Sequence, residues 1–485
     1  MVFNSYIFIL CFLPLAVVGY YGLNKIKMYN IAKIYLIIMS LWFYGYFNPS
    51  YLFIILASIL VNYIFSRCFR KVESKGWRRV LLVGGLALNI AVLFYFKYYN
   101  FFLENLNLVF KTDFTLIKLI LPLGISFFTF QQLSYLVDSY KGTVPDYHIV
   151  DYALFVTFFP QLVAGPIVLH SEIIPQFEDK KNRVVNYENL SKGIYGIAFG
   201  LIKKVIIADT LGAAVSWGYG NLGSLHTVNA IIVTLSYTLQ IYFDFSGYCD
   251  IATGIGYLFN VKLPMNFNSP YKSLTIEEFW KRWHMSLTRF FTAYIYIPLG
   301  GNRKGKIITY INTFIVFFIS GIWHGANWTF ILWGILHGIA VITNKIFRKQ
   351  INKLHPAANW IITFIFVNVA WIYFRAPSIG VANQIVKNIA KLDFKPISSG
   401  LINSFMLPEI TFIRNFMGIN SQYFAILIML IFLVGGLFIV LNCKNTNERI
   451  EQFKPSVINS VIVIVFMIWT IVSFSGISTF LYFNF

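Results

Sequence analysis

From Phe3 almost to the C-terminus, this chain repeatedly presents apolar stretches approaching twenty residues in length. That recurrence limits the possible folds more than any other feature. About 20 consecutive apolar residues let an α-helix cross a hydrocarbon core roughly 30 Å thick. Within lipid, only helices and closed barrels satisfy all their backbone N–H and C=O groups internally. Spans are expected near Phe3 to Gly22, Ile34 to Phe47, Tyr51 to Ser66, Val80 to Phe96, Leu119 to Val137 and Gly193 to Val215. Further spans are expected near Val228 to Phe245, Ile307 to Trp323, Thr329 to Thr343, Trp360 to Tyr373, Tyr423 to Leu441 and Val457 to Phe474. The expectation is an all-α polytopic membrane protein with about eleven or twelve transmembrane helices. Composition agrees: 58% of residues are hydrophobic and 12% charged, against about a quarter charged in soluble domains. No repeat, linker or low-complexity tail divides the chain, so residues 1–485 read as a single integral-membrane domain.

The formal net charge is +20, but its Lys and Arg are scattered between apolar spans. They form no basic stripe of the kind that marks a nucleic-acid binder. Positive charge in short loops instead orients a membrane protein, because cytoplasmic loops collect it. With the N-terminus outside, Lys25, Lys27, Lys33, the cluster Arg67 to Arg79, Lys180, Lys181, Arg183, Lys345, Arg348, Lys349, Lys444 and Arg449 all fall inside. An N-out, C-out topology follows as the expectation. Cys11, Cys68, Cys249 and Cys443 have neither CxxC nor metal-ligand spacing, so neither disulfides nor a metal site are expected. The first apolar segment lacks a basic n-region and a small-residue cleavage site, and is expected to be retained.

Two regions resist assignment as simple spans. Asp151 to Leu169 is apolar but contains Pro160, Gly165 and Pro166, which break a helix. A re-entrant segment is expected there, since irregular backbone at membrane depth survives only inside protein or beside water. Ser246 to Lys306 mixes glycines and prolines with Glu277, Glu278, Lys281, Arg282, His284 and Arg289. It reads as a cytoplasmic-side layer of short, partly interfacial helices.

Ionisable groups inside membrane segments are costly and therefore functional candidates. His324, in GIWHGANW, lies at the outer end of a span between small residues. It could be a proton acceptor or a helix-end histidine satisfied by a carbonyl. His284, in EEFWKRWHMSL, would share a helix face with Trp280, Trp283 and Leu287, on an interfacial helix or at a ligand site. Lys281 would point elsewhere, towards lipid phosphate or an anionic ligand. His337 suits a helix-to-helix hydrogen bond. Asp244 and Asp250 could be structural partners or part of a substrate path. No GxSxG elbow, HExxH site or Walker-type loop is present in the sequence. On spacing alone, both an enzyme and a proton-coupled transporter remain open.

Four runs narrow the choice: FFPQLVAGPIVLHSEIIPQF from Phe158, YFDFSGYCDIATGIGYLFN from Tyr242, EEFWKRWHMSLTRFFTAYIYIPLGGNRKGK from Glu277, and SGIWHGANWTFILWGILHG from Ser320. In this order the sequence resembles the membrane-bound O-acyltransferase family, in its alginate O-acetylation branch, with a motif-rich core at about residues 150–345. Cys249 stands where serine is common in that family. The resemblance implies helices around a central passage and acyl transfer from a thioester to a hydroxyl. It makes His324 the catalytic residue and His284 the second family histidine, near the cytoplasmic side. A thioester needs no metal or nucleotide energy at the transfer step. It needs a base, worth about 10² to 10⁴ in rate, and oxyanion donors, worth about 10² to 10³ each. His324 is the expected base, with Asn327 and Trp323 as candidate oxyanion donors. Lys281, Arg282, Trp283, Arg289 and Asp244 complete the expected substrate and donor contacts.

The resulting expectation is a bacterial cytoplasmic-membrane acetyltransferase with no bound cofactor and acetyl-CoA as donor substrate. Membrane lipid surrounds it, and an extracytoplasmic SGNH-type acetyltransferase is the expected partner that completes transfer to a polysaccharide. Two alternatives stand beside it. One is D-alanyl transfer to teichoic acid from a carrier-protein thioester, and the other is non-enzymatic transport of an acyl carrier.

Overall fold

The computed structural model describes residues 1–419, 421–474, 480 and 481, and among them every regular element is a helix. Eight helical stretches are long and apolar enough to cross a membrane: Phe8–Lys25, Ser50–Lys71, Lys75–Lys97, Thr227–Leu258, Lys306–His324, Trp328–Ile346, Pro356–Arg375 and Gln422–Asn442. Of the other four expected spans, three fall on shorter helices. Tyr29–Gly45 and Ile125–Lys141 have 17 residues each and Val457–Val472 has 16, while the span expected at Gly193 to Val215 lies within one unbroken helical run, Tyr187–Leu201, the π-helical Ile202–Ala208 and Asp209–Gly220. At 1.5 Å rise per residue the three short helices reach only about 24 to 26 Å, so they suit a locally thinned bilayer.

The chain forms two compact units, each assembled from separate stretches of sequence. The first comprises Met1–Ile197, Ile251–Met265 and Arg289–Tyr294. It holds the region expected to be re-entrant, which is indeed broken. Ile149–Thr157 stops at Phe158, a four-residue turn follows at Phe159–Leu162, and an irregular stretch leads to His170–Glu178. This backbone is buried, as the lipid argument requires. Gly124 adopts φ +69, and a Cβ there would stand 2.6 Å from the Leu162 carbonyl oxygen, so only glycine fits against the break.

The second unit comprises Ala198–Asp250, Asn266–Thr288 and Ile295–Phe485. Its central hairpin joins Lys306–His324 to Trp328–Ile346. Gly325 ends the first helix and Asn327 caps the second by accepting from the Thr329 N–H at 3.0 Å. The two helices approach at Gly321 and Gly334, where a Cβ would come within 2.5 Å of the Phe330 and Phe317 carbonyl oxygens respectively. Small residues allow this close membrane crossing, and it fixes the register of the histidines on both arms.

Within the stretch expected to hold partly interfacial helices, Ile276–Arg282 buries its apolar side against protein. Thr275 caps Ile276–Arg282, and Asn344 Oδ1 accepts from the Ile276 N–H at 2.8 Å. Further along, the Trp280 indole donates to His337 Nδ1 at 3.1 Å. Ile276, Phe279, Trp280 and Trp283 are all buried. The short helix therefore lies along Trp328–Ile346, because its aromatic residues face protein rather than headgroups.

Candidate active site

The sequence pattern made Trp280, Trp283, His284 and Leu287 one continuous helical face, but the backbone breaks between them. Ile276–Arg282 ends at Trp283, His284 takes φ +45, and a new helix starts at Met285. A non-glycine residue at positive φ is uncommon and needs local support. Asn266 supplies much of it. Its carbonyl accepts from the Met285 N–H at 3.0 Å, and its Oδ1 accepts from the Ser286 N–H at 3.1 Å and the Ser286 hydroxyl at 2.9 Å.

The same Oδ1 lies 3.2 Å from His284 Nδ1. A backbone N–H can only donate, so the Ser286 contact fixes the amide's orientation and makes His284 Nδ1 the donor. Burial lowers the His284 pKa to about 3, which keeps the ring neutral. Its proton is therefore on Nδ1 and a lone pair is on Nε2. The amide end of Asn266 donates to Cys249 Sγ at 3.4 Å. Asn266 was not among the sequence candidates, because it lies 18 residues from His284 and carries no motif of its own.

His324 ends its helix buried in an aromatic wall, with ring centroids 4.9 Å from Trp323, 5.0 Å from Trp333 and 5.1 Å from Phe374. Trp323 also lies 6.2 Å from His284. The two histidines thus flank one indole. Beyond Trp333, His337 follows at 4.8 Å and Trp280 at 5.0 Å from His337. The helix-to-helix hydrogen bond expected of His337 is the one it receives from Trp280.

Several expected ligand contacts are engaged with the protein itself. Arg282 binds Glu278 through Nε and Nη2, each at 2.9 Å, and reaches the Asn268 carbonyl at 3.3 Å. In the first unit, Arg289 forms a two-pronged pair with Glu172 and donates to the Ile167 carbonyl at 3.1 Å. Asn327 uses its oxygen as a helix cap and its amide on the Pro377 carbonyl at 3.0 Å. Trp283 is core, 4.9 Å from Phe267 and 5.0 Å from Trp371. Asp244 pairs with Lys204 at 2.6 Å and accepts from the Leu481 N–H at 3.0 Å. Lys281 is the most exposed of the set, with Glu277 at 3.0 Å.

Two buried histidines around one tryptophan in a membrane-embedded helical protein suit a group-transfer site. Comparison with known proteins gives that class its name. The sequence profile of the membrane-bound O-acyltransferase family, MBOAT, matches residues 143–381. The chain is 44% identical to the peptidoglycan O-acetyltransferase of Helicobacter pylori, over 81% of this chain and 80% of that protein. It is 37% identical to the probable alginate O-acetylase AlgI of Pseudomonas putida, over 79% of each. The teichoic acid D-alanyltransferase of Bacillus subtilis is 27% identical over 52% of this chain and 67% of that protein. The chain belongs to the membrane-bound O-acyltransferase family, and it is an O-acyltransferase.

Proposed function

We propose that this enzyme moves an acetyl group from a cytoplasmic thioester, acetyl-CoA, across the bacterial cytoplasmic membrane for O-acetylation of an extracytoplasmic polysaccharide. Peptidoglycan is the first glycan to test, since the peptidoglycan relative shares more identity than the alginate relative. One observation carries the reading: His324 and His284 flank Trp323 inside the region that the family profile matches. In the transfer step, His324 takes the proton of the attacking hydroxyl as its oxygen bonds to the acetyl carbonyl carbon. The C–S bond then breaks and the proton passes to the departing sulfur. His284, held as the Nδ1–H tautomer, is the second catalytic group. An extracytoplasmic SGNH-type acetyltransferase carries the acetyl group onward to the glycan. The distribution of loop cations supports the N-out, C-out orientation.

Proteoliposomes loaded with acetyl-labelled acetyl-CoA test the reading when the partner and a glycan oligomer are added outside. The expected result is label on the glycan and free CoA thiol within. Label that crosses with its thioester intact would make the protein a transporter. Activity only with a D-alanyl carrier-protein thioester would move it to the teichoic acid reaction.

A further inference from the structure

Thr329, Trp333, His337, Val341 and Lys345 recur every four residues along Trp328–Ile346, so each neighbours the next in a row that winds gradually around the helix. The first three side chains are buried: Thr329 is 1% exposed, and Trp333 and His337 are both 0%. Thr329 Oγ1, Trp333 Nε1 and His337 Nε2 each lie in the interior with no hydrogen-bond partner among the described residues. His337 Nδ1 already accepts the Trp280 indole proton, so a neutral His337 carries its own proton on Nε2. All three atoms are thus hydrogen-bond donors.

An unanswered buried donor loses its hydration without replacement, and the large majority of buried polar groups in native proteins have a partner. Three such donors on successive turns of one helix suit a ligand that is rich in acceptors. The two ends of the row suggest its chemistry. Trp333 at one end packs 5.0 Å from His324. At the other, Lys345 donates to Thr313 Oγ1 at 2.8 Å and Arg348 begins the next short helix. From Thr329 to Lys345 the helix rises about 24 Å. An acyl-coenzyme thioester has a matching sequence of groups: a thioester carbonyl, amide carbonyls along its pantetheine arm, and phosphates at the far end.

We propose that Thr329, Trp333 and His337 form a polar rail that binds the carbonyls of the donor's pantetheine arm and aligns its thioester with His324. The phosphates lie at the Lys345 and Arg348 end. This rests on the acetyl-CoA reading above and assigns that site its specificity-determining residues.

The test uses Trp333→Phe, which keeps the ring and removes the N–H, and Thr329→Val, which keeps the shape and removes the hydroxyl. Thermal unfolding of the purified full chain is followed with and without acetyl-CoA, alongside acetyl-transfer kinetics. Each variant is expected to keep or raise the unliganded melting temperature and to lose most of the stabilisation by acetyl-CoA. Its donor KM should rise about fivefold, with the loss falling on KM rather than kcat. If acetyl-CoA stabilises the wild type and both variants equally, with unchanged KM, the rail is overturned and the donors are held by ordered water alone. If acetyl-CoA leaves even the wild type unaffected, the donor reading fails first, and the rail fails with it.

Discussion

Two buried polar regions of the second unit follow opposite rules. Around the π-helical turn Ile202–Ala208, Lys203 meets Asp250 at 2.6 Å, while Lys204 meets Asp244 at 2.6 Å and Asp209 at 2.7 Å. Each of these charges faces an opposite charge supplied by the chain itself. At Thr329, Trp333 and His337 the buried polar atoms belong to uncharged groups with no partner among the described residues, and the last two sit among rings. An unpaired charge is costly inside a membrane protein, so the first region is architecture best completed before any ligand arrives. Neutral donors are less costly to leave open, and the second region can wait for a substrate. Asp244 illustrates the distinction: a carboxylate beside a span looked like part of a substrate path, but its oxygens hold Lys204 and the Leu481 N–H.

The comparison predicts different losses on the two sides. His324→Ala should insert, purify and melt close to the wild type, while glycan acetylation falls by about 10² to 10⁴, the range for a lost general base. Near-normal acetylation by a folded His324→Ala protein would remove His324 from the reaction. Lys204→Met should do the reverse and act on folding. It strands the buried Asp244 carboxylate and leaves the partly exposed Asp209 without its lysine, and removing one member of a buried pair costs about 3–5 kcal/mol. Low yield and a depressed melting temperature are expected, and a variant that melts like the wild type would make the cluster dispensable.

A smaller effect separates the role of His284 in the fold from its role in transfer. Its pKa is held near 3 by burial, against about 6.5 in an unfolded chain. Between those values the unfolded state binds the extra proton, so stability is fully present above about pH 6.5 and declines as pH falls towards 3. His284→Asn can keep the positive φ, which asparagine tolerates, and can still donate to Asn266. The variant should therefore lose acetyl transfer while its melting temperature depends less on pH between 7 and 5 than that of the wild type. An identical pH dependence in both proteins would show that His284 does not titrate as its burial requires.

Much of this arrangement was legible in the sequence because it depends on local pattern. Apolar runs located the spans, Pro160 and Gly165 marked the broken segment, and GIWHGAN placed His324 at a helix elbow. What escaped depends on distant partners. Nothing within EEFWKRWHMSL signals a break at His284, because the residue that supports it, Asn266, comes from an earlier loop. The four-residue spacing of Thr329, Trp333 and His337 was visible, but their lack of partners is a property of the surrounding helices. Lys203 and Lys204 offered a signal that went unused: adjacent lysines within an apolar run demand buried carboxylates, and Asp244 and Asp250 were already in view.

The smallest predicted effect concerns the cations once grouped as donor contacts. Arg282 has two nitrogens on Glu278 and a third on the Asn268 carbonyl, so a phosphate would have to displace contacts that tie its helix to the loop preceding it. Lys281 is free to move: its side chain is 65% exposed and its pair with Glu277 is a surface i,i+4 contact, of a kind worth about 0.3–0.5 kcal/mol. Lys281→Gln should therefore leave the melting temperature within error. If Lys281 faces the donor's phosphates, the apparent acetyl-CoA KM should rise by about two- to fivefold at low salt, and the difference should shrink as ionic strength screens the exposed charge. Arg282→Gln should instead lower the melting temperature with little change in KM. The opposite pattern, with KM rising in Arg282→Gln and constant in Lys281→Gln, would return Arg282 to the donor site and assign the Glu278 pair to the unliganded enzyme only.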